Sequence, residues 1–145
     1  MKKNYTSAIV AITLIAAFAT ACTKSSSKSV ADKLAGTWTF TRDASDTNHN
    51  GLADANEWFT YASMNASGSI KLNSNGTGFH TTTFAGSTDT SSFRWALAGS
   101  DTYLLVTDLD SGSVATGLRI DTLTDNVLVI KDTTGGTTEW TSMSK

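Results

Sequence analysis

Beyond Gly36 the apolar positions of the chain recur at every second residue, and nowhere at helical spacing. Trp38 and Phe40 alternate with Thr37, Thr39 and Thr41, and Ile70 and Leu72 with Lys71 and Asn73. Phe93, Trp95 and Leu97 are interleaved with Arg94 and Ala96, and Leu118 and Ile120 with Arg119 and Asp121. A period of two puts successive side chains on opposite faces of a strand, so each segment has one buried and one solvated face. Turn signals separate the segments roughly every 10–14 residues: Asn75-Gly76, Ala85-Gly86-Ser87, Gly99-Ser100, Ser111-Gly112, Asp125-Asn126 and Gly135-Gly136. The pattern predicts strands over 36–42, 68–73, 77–84, 91–98, 102–108, 114–121, 126–132 and 137–143. Strands of this number and length, joined in sequence, make an all-β fold: a small antiparallel up-and-down (meander) β-barrel of about eight strands, with no free sheet edge. The chain has no proline, which suits a ladder that needs most of its N–H groups. Ahead of the first strand, Ser29 is placed to cap one helical turn through Val30 to Ala35, ended by Gly36.

The N-terminal fifth has a different character. Lys2 and Lys3 precede an apolar run of 11 residues, Ala8 to Phe18, and Ala19-Thr20-Ala21 supplies small residues. These are the three parts of a secretory signal peptide, assigned to residues 1–21. The run is shorter than the about 20 residues of a permanent membrane helix. Ala19-Thr20-Ala21-Cys22 resembles a lipobox, in which the cysteine thiol receives a diacylglyceryl group and becomes the mature N-terminus. It also reads as a plain A-x-A cleavage site. Cys22 is the only cysteine of the chain and stands where lipidation requires it, so it is assigned as the lipid anchor. Residues 22–33, rich in Ser and Lys, form the tether, and 34–145 the barrel domain. Thr23 stands where many lipoproteins retained at the inner membrane carry Asp. By that resemblance the protein belongs to the cell envelope, at the outer membrane.

Leu34-Ala35-Gly36-Thr37-Trp38, following a short helical turn, is similar to the G-x-W opening of lipocalins. The chain looks like the small lipocalin-like lipoproteins of Gram-negative bacteria, on the strength of Gly36, Trp38 and the strand rhythm. In lipocalins the tryptophan closes one end of the barrel against an arginine of the last strand. The last strand here has Trp140 and no arginine, so the partner of Trp38 is not identified from the sequence.

The most specific local motif is Asp46-Thr47-Asn48-His49-Asn50-Gly51-Leu52-Ala53-Asp54-Ala55-Asn56-Glu57, which fits the EF-hand-type calcium loop at every position. Side-chain oxygens of Asp46, Asn48, Asn50 and Asp54 converge in such a loop with the Leu52 carbonyl, and Glu57 closes the site with two oxygens. Flanking helices are missing, since a strand precedes the loop and the extended-looking Trp58–Tyr61 follows. The expectation is one structural calcium ion, held on the order of 10⁻⁴–10⁻³ M as in extracellular modules. The competing reading is a long Asx-rich turn.

Composition narrows the function. The net charge is −2, and loss of Lys2 and Lys3 on export makes the mature chain more acidic; with Lys and Arg nowhere clustered, nucleic acid is not a partner. Two histidines and no cysteine in the domain leave no set of zinc ligands, and no serine sits in a nucleophile motif. His80 reads as a surface or barrel-lining residue, and the carboxylates outside the loop, among them Asp89, Asp101 and Asp108, as solubilising turn residues. The chain is therefore expected not to be an enzyme. Trp38, Phe79, Phe93, Trp95, Tyr103, Leu118 and Trp140 are the candidates to line a ligand cavity, or equally to fill the interior. The expected function is a membrane-anchored binding lipoprotein that holds a small apolar ligand. The alternative is a structural or interaction lipoprotein, an accessory subunit with a filled barrel, whose protein partner the sequence does not name.

Overall fold

The computed structural model describes residues 27–111 and 115–145. The signal segment, Cys22 and the first residues of the tether lie outside the described residues. The chain opens with helix α1 (Val30–Leu34) and continues into β1 (Gly36–Ser45), the long 46–57 loop and β2 (Trp58–Thr60). A 3-10 turn (Ala62–Met64) then leads to β3 (Ala66–Leu72), β4 (Thr77–Phe84), β5 (Ser87–Ala98) and β6 (Tyr103–Asp108). The last three strands are β7 (Thr116–Leu123), β8 (Val127–Asp132) and β9 (Glu139–Ser144). Every pairing is antiparallel between sequence neighbours except that β1 skips to β3, with β2 continuing that edge. Pairing of β1 with β9 closes the sheet. The result is an eight-stranded closed barrel with β2 as a short ninth strand beside the far end of β1.

Both ends of α1 are set locally. Ser29 accepts from the Asp32 N–H while the Asp32 carboxylate accepts from the Ser29 N–H, a reciprocal capping box. Leu34 is fully buried and Val30 packs on the core, so folded structure begins within the segment assigned to the tether. The helix sits at the barrel end where β1 starts and β9 finishes. The core fills that same end: Trp38, Leu72, Trp95, Leu104, Leu128 and Met143. Trp38 donates from Nε1 to the Leu34 carbonyl at 2.7 Å. Across its ring lies Lys145, with Nζ 4.4 Å from the ring centroid, donating also to the carbonyls of Lys33 and Ala35. The cation that closes the barrel on Trp38 is thus a lysine just beyond β9, not an arginine within it.

A bulge between Phe40 and Arg42 breaks the alternation of β1. Trp38 and Phe40 face inward; beyond the bulge Asp43 takes the inward row opposite Thr141, and Ala44 the outward row opposite Trp140. Arg42, freed from the interior, lies over the Trp58 ring at 4.2 Å.

Candidate functional site

The end of the barrel opposite α1 is hollow. A cavity of about 330 Å³ is walled by Phe40, Ile70, Phe93, Val106, Leu118 and Ile130. Two inward glycines make room for the aromatic walls. A Cβ on Gly68 would fall 2.5 Å from the Phe40 ring, and one on Gly78 would fall 2.3 Å from the Phe93 ring. Toward the mouth the lining turns polar, with Tyr61, His80, Ser91 and Thr141, and then acidic, with Asp108, Asp132 and Glu139. Tyr61 enters because the chain bends after β2, and its ring stacks on Phe40 with centroids 5.3 Å apart. The His80 ring also lies against Phe40, tilted, with centroids 5.4 Å apart.

The electrostatics follow from this half-buried position. Burial holds the His80 imidazole below its ordinary value, against the opposing pull of Asp89, so the ring is neutral at pH 7. Burial, with the neighbouring Asp43 carboxylate, raises the Tyr61 hydroxyl. Asp43 Oδ1 is buried there with no hydrogen-bond partner.

The structure divides the seven residues proposed from the sequence as lining. Phe93 and Leu118 line the cavity. Trp38 and Trp95 face inward but belong to the packed closed end, where Trp95 Nε1 donates to the carbonyls of Asn73 and Thr77. Phe79, Tyr103 and Trp140 are on the outer face, because their strand neighbours Gly78, Leu104 and Thr141 hold the inward positions. Phe79 and Tyr103 are exposed there, whereas Trp140 is buried with Lys131 stacked on its ring and its Nε1 donating to Asp121. The acidic mouth escaped the sequence reading, since Asp108 looks like any turn residue. Its signal was parity: Val106 and Asp108 share the face of Leu104, as Ile130 and Asp132 share that of Leu128.

The 46–57 loop borders the same mouth, tied to it by the Asp46 N–H donating to the Thr138 carbonyl at 2.9 Å. The Asp46 carboxylate is buried and accepts from the N–H groups of Asn50 and Gly51. Gly51, at φ +78°, supplies the left-handed residue at this turn. Glu57, also buried, accepts from the Thr47 N–H and hydroxyl and the Asn48 N–H through Oε1, and from the Asp54 N–H through Oε2. The Thr47 hydroxyl is the largest influence holding the Glu57 carboxyl below the usual carboxylate range. The Asp54 carboxylate receives the side-chain amides of Asn48 and Asn50, each at 2.8 Å. Leu52 is exposed, and Lys131 donates to the Gly51 carbonyl. The six residues named as calcium ligands thus share one loop, with their polar atoms turned onto one another. Among the described residues, no three His, Cys, Asp or Glu side chains cluster as a metal-holding group.

Residues 34–130 match the family model of the lipocalin-like domain, a span that runs from the last residue of α1 through β1 to β7 and into β8. A search of curated proteins gives no match.

Proposed function

The chain belongs to the lipocalin-like domain family, and from that premise we propose that it is a membrane-anchored, non-enzymatic binding lipoprotein that holds a small apolar ligand in its barrel mouth. The observation that carries this reading is the hollow end, a cavity of about 330 Å³ with six apolar walls above a tightly packed floor. Its size falls at the lower end of the range for small-molecule sites, about 300–1,000 Å³. At about 30 Å³ per water-sized group it holds roughly eleven of them, a small ligand. The lipid on Cys22 anchors the protein at the outer membrane after removal of residues 1–21. Ser29 caps α1 at the closed end, so the tether joins the barrel at the end opposite the mouth. The 46–57 loop holds a structural calcium ion through Asp46, Asn48, Asn50, Asp54, Glu57 and the Leu52 carbonyl. Calcium takes oxygen ligands, so it competes with the amide groups that Asn48 and Asn50 now turn to Asp54. Trp58, bonded through Nε1 to the Ala53 carbonyl, reports that competition by fluorescence. A titration that stays flat to ~10 mM calcium, beyond the range of extracellular modules, ends the calcium reading.

The accessory-subunit reading is favoured by one observation, the ring of Phe79 left 46 % exposed on the outer face of β4, while Phe84, 64 % exposed, ends the same strand on its other face. Native mass spectrometry of the protein released from its own envelope separates the two. A stoichiometric small-molecule mass establishes the carrier; a bare protein mass favours the accessory subunit.

A further inference from the structure

The walls of the cavity are apolar, but its rim carries three carboxylates, Asp108, Asp132 and Glu139, and none of the lining residues is Lys or Arg. The neighbouring cations are engaged elsewhere. Lys131 lies over Trp140 and donates to Gly51, Arg42 lies over Trp58, and Arg119 pairs with Asp121 at 3.2 Å. Lys145 is at the closed end, and Lys28 is paired with Asp125. Among the described residues, none of the three rim carboxylates is in an ion pair. Asp108 Oδ1 accepts from the N–H groups of Asp110 and Ser111, and Asp132 Oδ1 from the N–H and hydroxyl of Thr134, which orients the carboxylates without neutralising them. The Asp43 side chain lies behind Tyr61, with Oδ1 buried and without a hydrogen-bond partner.

Like charges around a low-dielectric well focus a negative potential at its mouth. An anionic head group there meets repulsion, and a neutral one gains nothing from the charge. A protonated amine meets the carboxylate oxygens of the rim. We infer that the ligand is a cationic amphiphile, a compact apolar body seated between Ile70, Phe93, Val106 and Leu118 with an ammonium group among Asp108, Asp132 and Glu139. This inference rests on the carrier reading and sharpens it to a class of ligand.

The test is calorimetric binding of octylamine, octan-1-ol and octanoate to the purified protein at pH 7 and low salt. The three share one apolar body and differ in head-group charge. The expected order is amine, then alcohol, then carboxylate, with the amine at least about tenfold tighter than the carboxylate. Raising the salt to about 0.5 M narrows that gap, as screening requires. The double variant Asp132→Asn, Glu139→Gln brings the three ligands together while octan-1-ol binding persists. Octan-1-ol binding with no preference for the amine overturns the inference and leaves the carrier standing. Failure of all three to bind overturns both.

Discussion

At the scale of the residue, Lys145 performs two tasks with one ammonium group. It covers the buried face of Trp38, and it donates to two carbonyls, those of Lys33 and Ala35, at the C-terminal end of α1. Helix ends leave carbonyls without internal partners and carry partial negative charge, so a cation there is favoured twice over. Burial lowers the Lys145 ammonium from its ordinary value, a small cost beside those contacts. Lys145→Ala removes the cation–π contact and both hydrogen bonds, and is expected to destabilise the fold by about 1–2 kcal/mol. Lys145→Arg keeps the charge and most of the loss is restored. Urea unfolding of the three proteins decides it; an alanine variant as stable as the wild type makes the contact decorative. The lipocalin resemblance directed attention to an arginine inside the last strand. The physical requirement is only a cation that reaches Trp38, and residue type within a strand is the wrong place to look for it.

At the scale of the element, the period of two was enough to place all eight barrel strands, because each has one face committed to a core. What it did not carry is the parity shift at the β1 bulge and the choice of inward face in strands of mixed character. In β9 the bulky Trp140 looks like the inward residue, yet Met143 and Thr141 hold that row, and Glu139 goes with them to the mouth. The calcium-type motif was fully legible as a loop, since its Asx residues and Gly51 make the turns that the hydrogen bonds show. Strand glycines carry information of the same kind, and two of them make opposite predictions. Gly78 sits under Phe93 and within 2.7 Å of the Lys71 carbonyl once a Cβ is added, so Gly78→Ala overpacks the wall. It is expected to cost about 1–3 kcal/mol. Gly117 meets only Leu105, at 3.5 Å, an ordinary contact. Gly117→Ala is therefore neutral or slightly stabilising, by up to about 1 kcal/mol, since alanine restricts the unfolded chain. Thermal melts of the pair check both signs, and equal effects remove the steric account of Gly78.

At the scale of the whole molecule the barrel is asymmetric along its axis. One end is filled by α1, Trp38, Trp95 and four aliphatic or methionine side chains, and the other is left hollow behind a ring of carboxylates. Packed interiors approach the density of organic crystals, so leaving one end open gives up dispersion and burial that larger side chains there would supply. Function explains the sacrifice if the space belongs to a ligand, and the two properties then trade against each other. Val106 is the place to test this: it lines the cavity, faces inward beside Trp95, and lies one turn of the pleat below Asp108. Val106→Trp puts an indole into the hollow while every rim carboxylate and every residue of the closed end stays as it is. The expected result is an unchanged or raised melting temperature together with octan-1-ol binding weakened at least about tenfold, because the apolar area that the ligand would bury is already covered. A variant that melts lower and binds as before would place the ligand outside the barrel, since an indole cannot share a space of about 330 Å³ with an eight-carbon chain at no cost.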